Sequence, residues 1–236
     1  MPSADQDAGA LAALPSAGVR HRSPARLAFY YGPMDCGKST LALQIDHNHA
    51  RQGRRGLVLT RYDRSGEPLI TTRVGLARTA IEIQSDTDLR STVRAELAAG
   101  RQVDYLIIDE AGFLEPHQVD QLAELVDEWH VDVYCFGLAT DFRTLLLPGA
   151  KRLFELADEL APVQVEVLCW CGLPGRWNAR VVDGVVQREG ETVVVADTAR
   201  SGAVSLPVHY QVLCRMHHRL GELGTTVDAG QLTLDV

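Results

Sequence analysis

One loop of the sequence has the residue types that bind phosphate groups. It fits the pattern Gly-x-x-x-x-Gly-Lys-Ser/Thr and reads Gly32, Pro33, Met34, Asp35, Cys36, Gly37, Lys38 and Ser39, with Thr40 next. Glycines let backbone N–H groups converge on phosphate oxygens, the lysine neutralises their charge, and the serine hydroxyl can ligate Mg²⁺. We therefore predict that these residues hold the phosphates of a nucleotide. The alternative is a chance glycine-rich turn.

Two adjacent carboxylates follow the most apolar run of the chain, which ends in Ile107 and Ile108. A lone carboxylate at the end of a buried strand has little structural use, so we assign Asp109, together with Ser39, to Mg²⁺. A helix or turn cap is the alternative use of Asp109. Glu110 would point to a different side of the strand end. It could act on a nucleophile, although in many ATPases such a glutamate activates water.

These residues need strands and helices to position them. Apolar runs predict strands over 27–31, 56–60, 80–83, 103–109 and 131–137, and helical spacing predicts helices over 39–51, 86–99 and 117–130. The glycine-rich loop thus lies between a strand and a helix, which is the context that its motif requires. Strands that alternate with helices predict an α/β fold, with a parallel sheet covered on both faces.

The pattern changes after residue 162. Short β-prone runs over 163–169, 179–182 and 192–195 are separated by glycine-rich turns, without a convincing helix between them. We expect four parts: a disordered tail over 1–24, a P-loop domain over 25–162, a small β-rich module over 163–219 and a weakly structured C-terminal tail over 220–236.

Two pairs of soft metal ligands flank this small module. They are Cys169 with Cys171, and Cys214 with His217. Such pairs suit a tetrahedral Zn²⁺, and the module has too little core to hold itself together unaided. The zinc would be structural, because four protein ligands leave no open position for water. His218 is the alternative fourth ligand, and reduced, packed cysteines are the alternative to a metal.

Charge and composition limit the classes of partner. The chain has 23 Lys and Arg against 31 Asp and Glu, a formal net charge of −8, which argues against binding a nucleic acid polymer. No apolar run reaches the roughly 20 residues that a membrane helix needs, and the first residues lack the charge and apolar core of a signal peptide. Five cysteines, an odd number, favour metal ligation or core packing over disulfides. We expect a cytoplasmic protein.

Taken in order, the motifs resemble those of the type II thymidine kinases, the family of the human cytosolic enzyme and most bacterial ones. The matching features are the late Cys pairs, a Tyr four residues before Cys214, and three segments: Gly32-Pro33-Met34, Asp109-Glu110-Ala111-Gly112-Phe113-Leu114 and Gly137-Leu138-Ala139-Thr140-Asp141-Phe142-Arg143. The resemblance covers about residues 26–219. It implies a RecA-like P-loop domain with a zinc-held lasso domain, in a homotetramer. The implied reaction transfers the γ-phosphoryl group of ATP to the 5′-hydroxyl of thymidine, with Mg²⁺, and deoxyuridine should also be accepted.

The resemblance also implies roles for single residues. Glu110 matches the general base. Met34 and Phe142 match side chains that line the thymine pocket, and Arg143 follows near the phosphates. Arg64 matches the arginine of an Asp-x-Arg pattern, although Asp63 stands one place later than the family's aspartate. Further matches are Tyr210, which closes over the nucleoside, and the lasso loop, which begins at Val193.

Two departures from the family pattern bear on function. Gly112 stands where the family usually has Gln, and the stretch 196–207 is longer than usual and lacks a Gly-Gly pair. One rival interpretation is a regulatory P-loop ATPase, in which Glu110 activates water and the zinc module binds a partner protein. A second is a nucleotide sensor without activity, although Lys38, Ser39 and both carboxylates are present.

Overall fold

The computed structural model of the chain describes residues 24–61, 69–71, 75, 77–192 and 208–224. Its strands are β1 (Leu27–Tyr31), β2 (Gly56–Arg61), β3 (Leu69–Thr71), β4 (Ala77–Thr79), β5 (Ile81–Ile83), β6 (Tyr105–Asp109), β7 (Asp132–Gly137), β8 (Glu159–Pro162), β9 (Trp177–Val182), β10 (Val185–Val186) and β11 (Val208–Leu213). Its α-helices are α1 (Lys38–Arg51), α2 (Leu89–Ala98), α3 (Pro116–Trp129), α4 (Pro148–Leu156) and α5 (Arg215–Leu220).

Six of these strands form one parallel sheet in the order β5-β2-β6-β7-β1-β8. The five strands predicted from apolar runs are all present in it, so the predicted α/β class is confirmed. Because the strands are parallel, their carboxyl ends lie along one edge. That edge carries the end of β1, where the glycine-rich loop begins, and the end of β6, which is Asp109.

Strand β6 shows why both faces of the sheet are covered. All five of its residues are buried, and the four that precede Asp109 alternate between two apolar cores. Leu106 and Ile108 belong to the core that α2, α3 and α4 cover, whereas Tyr105 and Ile107 belong to the core beneath α1. Burying one such side chain contributes about 1.5–3 kcal/mol. The fully apolar run is therefore the expected sequence for a central strand of this sheet.

The sequence patterns missed one helix and one edge strand of the main α/β unit, α4 and β8. Helix α4 begins with Pro148 in its first turn and buries Ala150 and Leu153 against the sheet. It leads into the edge strand β8, which has only four residues, alternates between half-buried and exposed positions and ends in Pro162. A run this short does not give a strand signal on its own. The hairpin of β3 with β4 was missed for the same reason.

The small module is a three-stranded antiparallel sheet in the order β10-β9-β11, with α5 after it. Its core is thin: in the part of the module that the structure describes, the buried core residues are Cys169, Ala179, Val181, Val186, Leu213 and Cys214. The predicted strand over 163–169 is wrong, because this segment forms only an isolated bridge between Leu168 and Pro174. The predicted run over 192–195 lies outside the described residues from position 193 onward.

The two predicted tails lie almost wholly outside the described residues, and the division of the chain at residue 162 stays a prediction. Within the described ranges, every helix falls short of the length and apolar character that crossing a membrane would require.

Candidate active site

The glycine-rich loop lies between β1 and α1, as its motif requires. Gly37 adopts a left-handed conformation (φ 80°) directly before α1, and Asp35 is left-handed as well (φ 67°). These turns bring the loop back over the start of the helix, where free N–H groups and the helix dipole favour an anion. The Lys38 ammonium is buried and donates to the carbonyl oxygens of Pro33 (2.6 Å) and Gly32 (3.3 Å). All the predicted phosphate residues, 32–40, therefore share this loop and the first turn of α1.

Ser39 and Asp109 meet across the sheet edge. The Ser39 hydroxyl donates a 3.0 Å hydrogen bond to Oδ2 of Asp109, the buried last residue of β6. Burial raises the pKa of the Asp109 carboxyl, while the N–H of Glu110, the Ser39 hydroxyl and the charge of Lys38 act in the opposite direction. Two oxygen atoms of the kind that Mg²⁺ prefers thus lie side by side next to the phosphate loop. This donor set fits the predicted magnesium site.

Glu110 has an unusual backbone conformation. Its φ of 54° is in the left-handed region, and its N–H donates to Oδ1 of Asp109 at 3.0 Å. Non-glycine residues in this region cost of the order of 1–3 kcal/mol and tend to occur at functional sites. The turn ends β6 and starts a 3₁₀ turn over Ala111–Phe113, so Glu110 leaves the strand direction directly after Asp109. Its side chain is half-buried at the same sheet edge.

The close packing of the surrounding backbone explains why residue 112 is a glycine. A Cβ atom at this position would lie 2.3 Å from the carbonyl oxygen of Leu138, on the loop that follows β7. Gly137 is equally tight, because its Cβ would lie 2.6 Å from the Gly112 nitrogen. Only glycine lets the two backbones approach this closely. The departure from the family's Gln is therefore matched by the surrounding backbone, which has no room for a side chain there.

The loop after β7 carries Phe142 and Arg143. The Phe142 ring is buried, and the Arg180 guanidinium lies 3.8 Å from its centroid. The same guanidinium donates from Nε to the Tyr210 hydroxyl at 3.0 Å. Two of the residues predicted to line the nucleoside pocket are thus held by one side chain of the small sheet.

The Arg143 side chain has polar partners in two different segments of the chain. Its guanidinium forms an ion pair with Asp141 in its own loop, with an Nη2 to Oδ2 distance of 2.6 Å. Nη2 also donates to Oγ1 of Thr192 at 3.0 Å, at the far end of the small module. Arg143 therefore links the loop after β7 to Thr192, the residue directly before the predicted start of the lasso.

The late Cys and His residues form one cluster. Ligand atoms of Cys169, Cys171, Cys214 and His217 all lie within 4.8 Å of one another. Nδ1 of His217 is 3.4 Å from the Cys169 sulfur and 3.5 Å from the Cys214 sulfur, and the Cys171 and Cys214 sulfurs are 3.9 Å apart. In a tetrahedral zinc site, the metal–ligand distances put neighbouring ligand atoms roughly 3.5–3.8 Å apart. The cluster therefore fits a structural Zn²⁺.

The family model and the curated relatives that match this chain agree on one family. The family model described as "Thymidine kinase" matches residues 25–218. The chain belongs to the thymidine kinase family. It is 50% identical over 210 residues to a thymidine kinase of Streptomyces coelicolor, which covers 89% of this chain and 96% of the relative. A thymidine kinase of Salmonella typhimurium is 36% identical over 198 residues, which covers 83% of this chain and 91% of the relative.

Solved structures add little to this assignment. The Pif1 helicase from Candida albicans is 17% identical and has a TM-score of 0.37, with 60% of this chain and 36% of the helicase covered. That likeness is too weak to carry an argument. Membership of the thymidine kinase family rests on the sequence.

Sequence reasoning missed two residues of this thymidine kinase family member, Asn178 and Arg180. Both are buried polar side chains on the central strand β9, two positions apart, so they share one face of it. The opposite face carries Ala179 and Val181, which belong to the core of the small module. The alternation of polar and apolar residues over 178–181 is the signal that could have revealed them.

A cavity of about 550 Å³ lies between the glycine-rich loop and the small sheet. Its walls include Tyr31 and Pro33 at the loop, Thr140 after β7, Val163 after β8, and Trp177 and Asn178 on β9. A ligand in this cavity would touch both sheets of the thymidine kinase family member.

The structure bears on the choice of the fourth metal ligand, but two other predictions fall on residues that it does not describe. His218 lies apart from the metal cluster, because its Nε2 is 2.9 Å from the carbonyl oxygen of Phe142, so the geometry favours His217 as the fourth ligand. Arg64 and Val193, the other two predicted nucleoside residues, lie outside the described residues. The stretch 196–207 does as well.

Proposed function

We propose that the protein transfers the γ-phosphoryl group of ATP to the 5′-hydroxyl of thymidine, and of deoxyuridine, and forms ADP and the nucleoside monophosphate. The family supports this reaction. The observation that carries it is the junction of Ser39, Asp109 and Glu110 beside the phosphate loop. A nucleotide phosphate, a divalent cation and a carboxylate base can meet there.

The proposed roles follow from the chemistry of phosphoryl transfer. Its transition state is loose, so most of the rate enhancement comes from positioning and from stabilising charge on the phosphoryl oxygens. Lys38 and the N–H groups at the start of α1 bind the donor phosphates. Mg²⁺, held by Ser39 and Asp109, would neutralise charge on those phosphates. Glu110 positions the 5′-hydroxyl and accepts its proton.

On the nucleoside side, Met34, Phe142 and Tyr210 are proposed to line the base pocket, with Arg64, Arg143 and Val193 nearby. A pocket built around a single ring excludes purines, because overfilling a packed site costs about 1–3 kcal/mol or more. Cytosine reverses the donor and acceptor pattern of thymine, and each unpaired group costs roughly 1–3 kcal/mol. Deoxyuridine lacks one methyl group, whose burial contributes about 0.8 kcal/mol.

A steady-state assay of ADP release with four nucleosides tests this function. Thymidine should stimulate release strongly, deoxyuridine should follow with a kcat/KM lower by about fourfold, and deoxycytidine and deoxyguanosine should be far poorer. ATP hydrolysis at the same rate without any nucleoside would instead support the regulatory ATPase. A kcat/KM for deoxycytidine comparable to that for thymidine would mean that the base is not recognised as proposed.

Three properties are proposed with the function. The metal cluster is proposed to hold one structural Zn²⁺ per chain, because its distances match that metal. The resemblance to the type II thymidine kinases supports a homotetramer in the cytoplasm. Light scattering of the purified protein should give four times the chain mass, and a monomer would contradict the assembly.

A further inference from the structure

Arg180, which the sequence patterns did not single out, makes three side-chain hydrogen bonds beside the proposed nucleoside pocket. All three of its nitrogen atoms donate hydrogen bonds. Nε donates to the Tyr210 hydroxyl (3.0 Å), Nη1 to the carbonyl oxygen of Glu191 (2.7 Å) and Nη2 to the carbonyl oxygen of Thr192 (2.9 Å). The side chain is only 3% exposed, so these bonds form away from solvent.

The same guanidinium also lies over the aromatic ring of Phe142, on the loop that follows β7 of the parallel sheet. Its central carbon lies 3.8 Å from the Phe142 ring centroid, well within the range of a cation–π contact. It lies 5.8 Å from the Tyr210 ring centroid. One rigid, planar group therefore fixes a ring that follows β7, a ring on β11 and the backbone at 191–192.

This arrangement has the features of a positioning group. Phe142 and Tyr210 are far apart in sequence, and Phe142 lies on the loop after β7 whereas Tyr210 lies on β11 of the small sheet, so the chain itself does not hold them in register. A planar guanidinium can pack against an aromatic ring, while its N–H groups donate to a hydroxyl and to two carbonyl oxygens in fixed directions. A lysine at this position would keep the charge but lose the planar contact and the fixed directions of the donors.

We propose that Arg180 is a positioning residue for nucleoside binding, which it controls through Phe142 and Tyr210. The proposal rests on the proposed function and specifies which side chain pre-forms the base pocket. Arg180 contacts neither the glycine-rich loop nor the Asp109 carboxylate through any bond that the structure describes. Its loss should therefore raise the KM for thymidine while the KM for ATP changes little.

The test compares Arg180→Lys and Arg180→Met in the full-length protein. We expect the thymidine KM to rise at least tenfold in both, the ATP KM to stay within threefold, and kcat to fall less than the thymidine kcat/KM. Arg54→Met is the matched control, because Arg54 is also a largely buried arginine with several hydrogen bonds, but at the opposite end of the sheet. It should lower the melting temperature without a selective change in the thymidine KM.

Tyr210→Phe completes the design, because it removes the hydroxyl that accepts from Arg180. In that background, Arg180→Lys should raise the thymidine KM by a smaller factor than in the wild type. A thymidine KM within twofold of wild type in both Arg180 variants would overturn the proposal. So would a parallel change of both KM values, as in a general loss of folding.

Wild-type protein without nucleoside-dependent ADP release would refute the proposed function. The role of Arg180 would then be tested by measuring thymidine affinity by calorimetry. Equal affinities of the wild type and the Arg180 variants would overturn that role.

Discussion

The backbone N–H of Met34 donates a 2.8 Å hydrogen bond to Oδ1 of Asn178. Met34 belongs to the glycine-rich loop of the parallel sheet, whereas Asn178 is a buried residue of β9 in the small sheet. Two positions further along, Arg180 holds Phe142 and Tyr210. A single strand therefore contacts both the phosphate loop and the residues proposed to bind the nucleoside.

Replacing Asn178 by Ala should leave the Met34 N–H without this acceptor, which costs about 1–3 kcal/mol of folding free energy. The ATP KM should rise too, since the loop loses a support. Asn178→Asp keeps an acceptor oxygen, so it should recover stability but place a negative charge near the phosphates and weaken ATP binding further. Urea unfolding and ATP kinetics measure both effects. An Ala variant that matches the wild type in both would show that the contact has no energetic role.

Glu110→Gln should remove most phosphoryl transfer while ATP still binds. The amide keeps the volume of the side chain but cannot accept the proton of the 5′-hydroxyl. Loss of a positioned general base typically lowers the rate by about 10²–10⁴-fold. Single-turnover kinetics and ATP affinity by calorimetry separate the two steps. Glu128→Gln, an exposed change on α3, is the control, and a decrease of less than tenfold for Glu110→Gln would mean that another group is the base.

Removing the proposed zinc should loosen the small sheet first. Strong chelation, or Cys171→Ser, should raise the thymidine KM before ATP binding suffers, because β9 and β11 carry Arg180 and Tyr210. The Trp170 ring stacks on His217 with centroids 4.2 Å apart, so tryptophan fluorescence should change during chelation. Elemental analysis should find one zinc per chain. Protein that is active and folded without any zinc would contradict the assignment.

Gly112→Ala should destabilise the protein by about 1–3 kcal/mol, because the added Cβ would overlap the carbonyl oxygen of Leu138 and force the backbone apart. Gly53→Ala is the comparison. Unlike Gly112, Gly53 is left-handed (φ 76°), but it has nothing within 4 Å of its Cβ position, so this change should cost only about 1 kcal/mol of strain. Thermal unfolding measures both. If Gly112→Ala were the milder of the two, the loop after β7 would be able to shift.

His49 should make stability depend on pH. Arg54 donates to its Nδ1 (2.9 Å), so the neutral ring carries its proton on Nε2 and donates to the Tyr134 hydroxyl (3.1 Å). Burial, followed by the charge of Arg54, lowers the pKa of His49 below its ordinary value of 6.5. The unfolded chain therefore takes up this proton at a higher pH than the folded chain does. Stability is retained above pH 6.5 and decreases as the pH falls from there towards the folded pKa.

Urea unfolding at pH 7.5 and at pH 5.5 tests this sign. The wild type should be less stable at pH 5.5, and His49→Gln should lose less stability between the two pH values. Equal losses in the two proteins would mean that other groups determine the pH dependence.

Much of the parallel sheet could be predicted because its central strands, β1, β2, β6 and β7, are largely buried apolar runs. The motif of the glycine-rich loop and the carboxylates after β6 could be found for a related reason, since each follows such a run directly. Strand β8 could not be predicted, because its four residues, which end in Pro162, are too few to show a hydrophobic period. Arg180 was missed because its partners Phe142 and Tyr210 lie far away in sequence, and only the packing of the two sheets brings them together.

The position of β1 in the sheet also determines when the protein can fold during synthesis. β1 is made early, yet both of its neighbours come late: Leu27 pairs with Val133 and Ala28 with Glu159. Contacts between distant parts of a chain form slowly, and a strand edge that waits for its partner can pair with another chain. A nascent chain that stops before β8 leaves one edge of β1 open. Slower translation beyond residue 162 would therefore give this strand time to pair correctly, whereas a stall before it would favour aggregation.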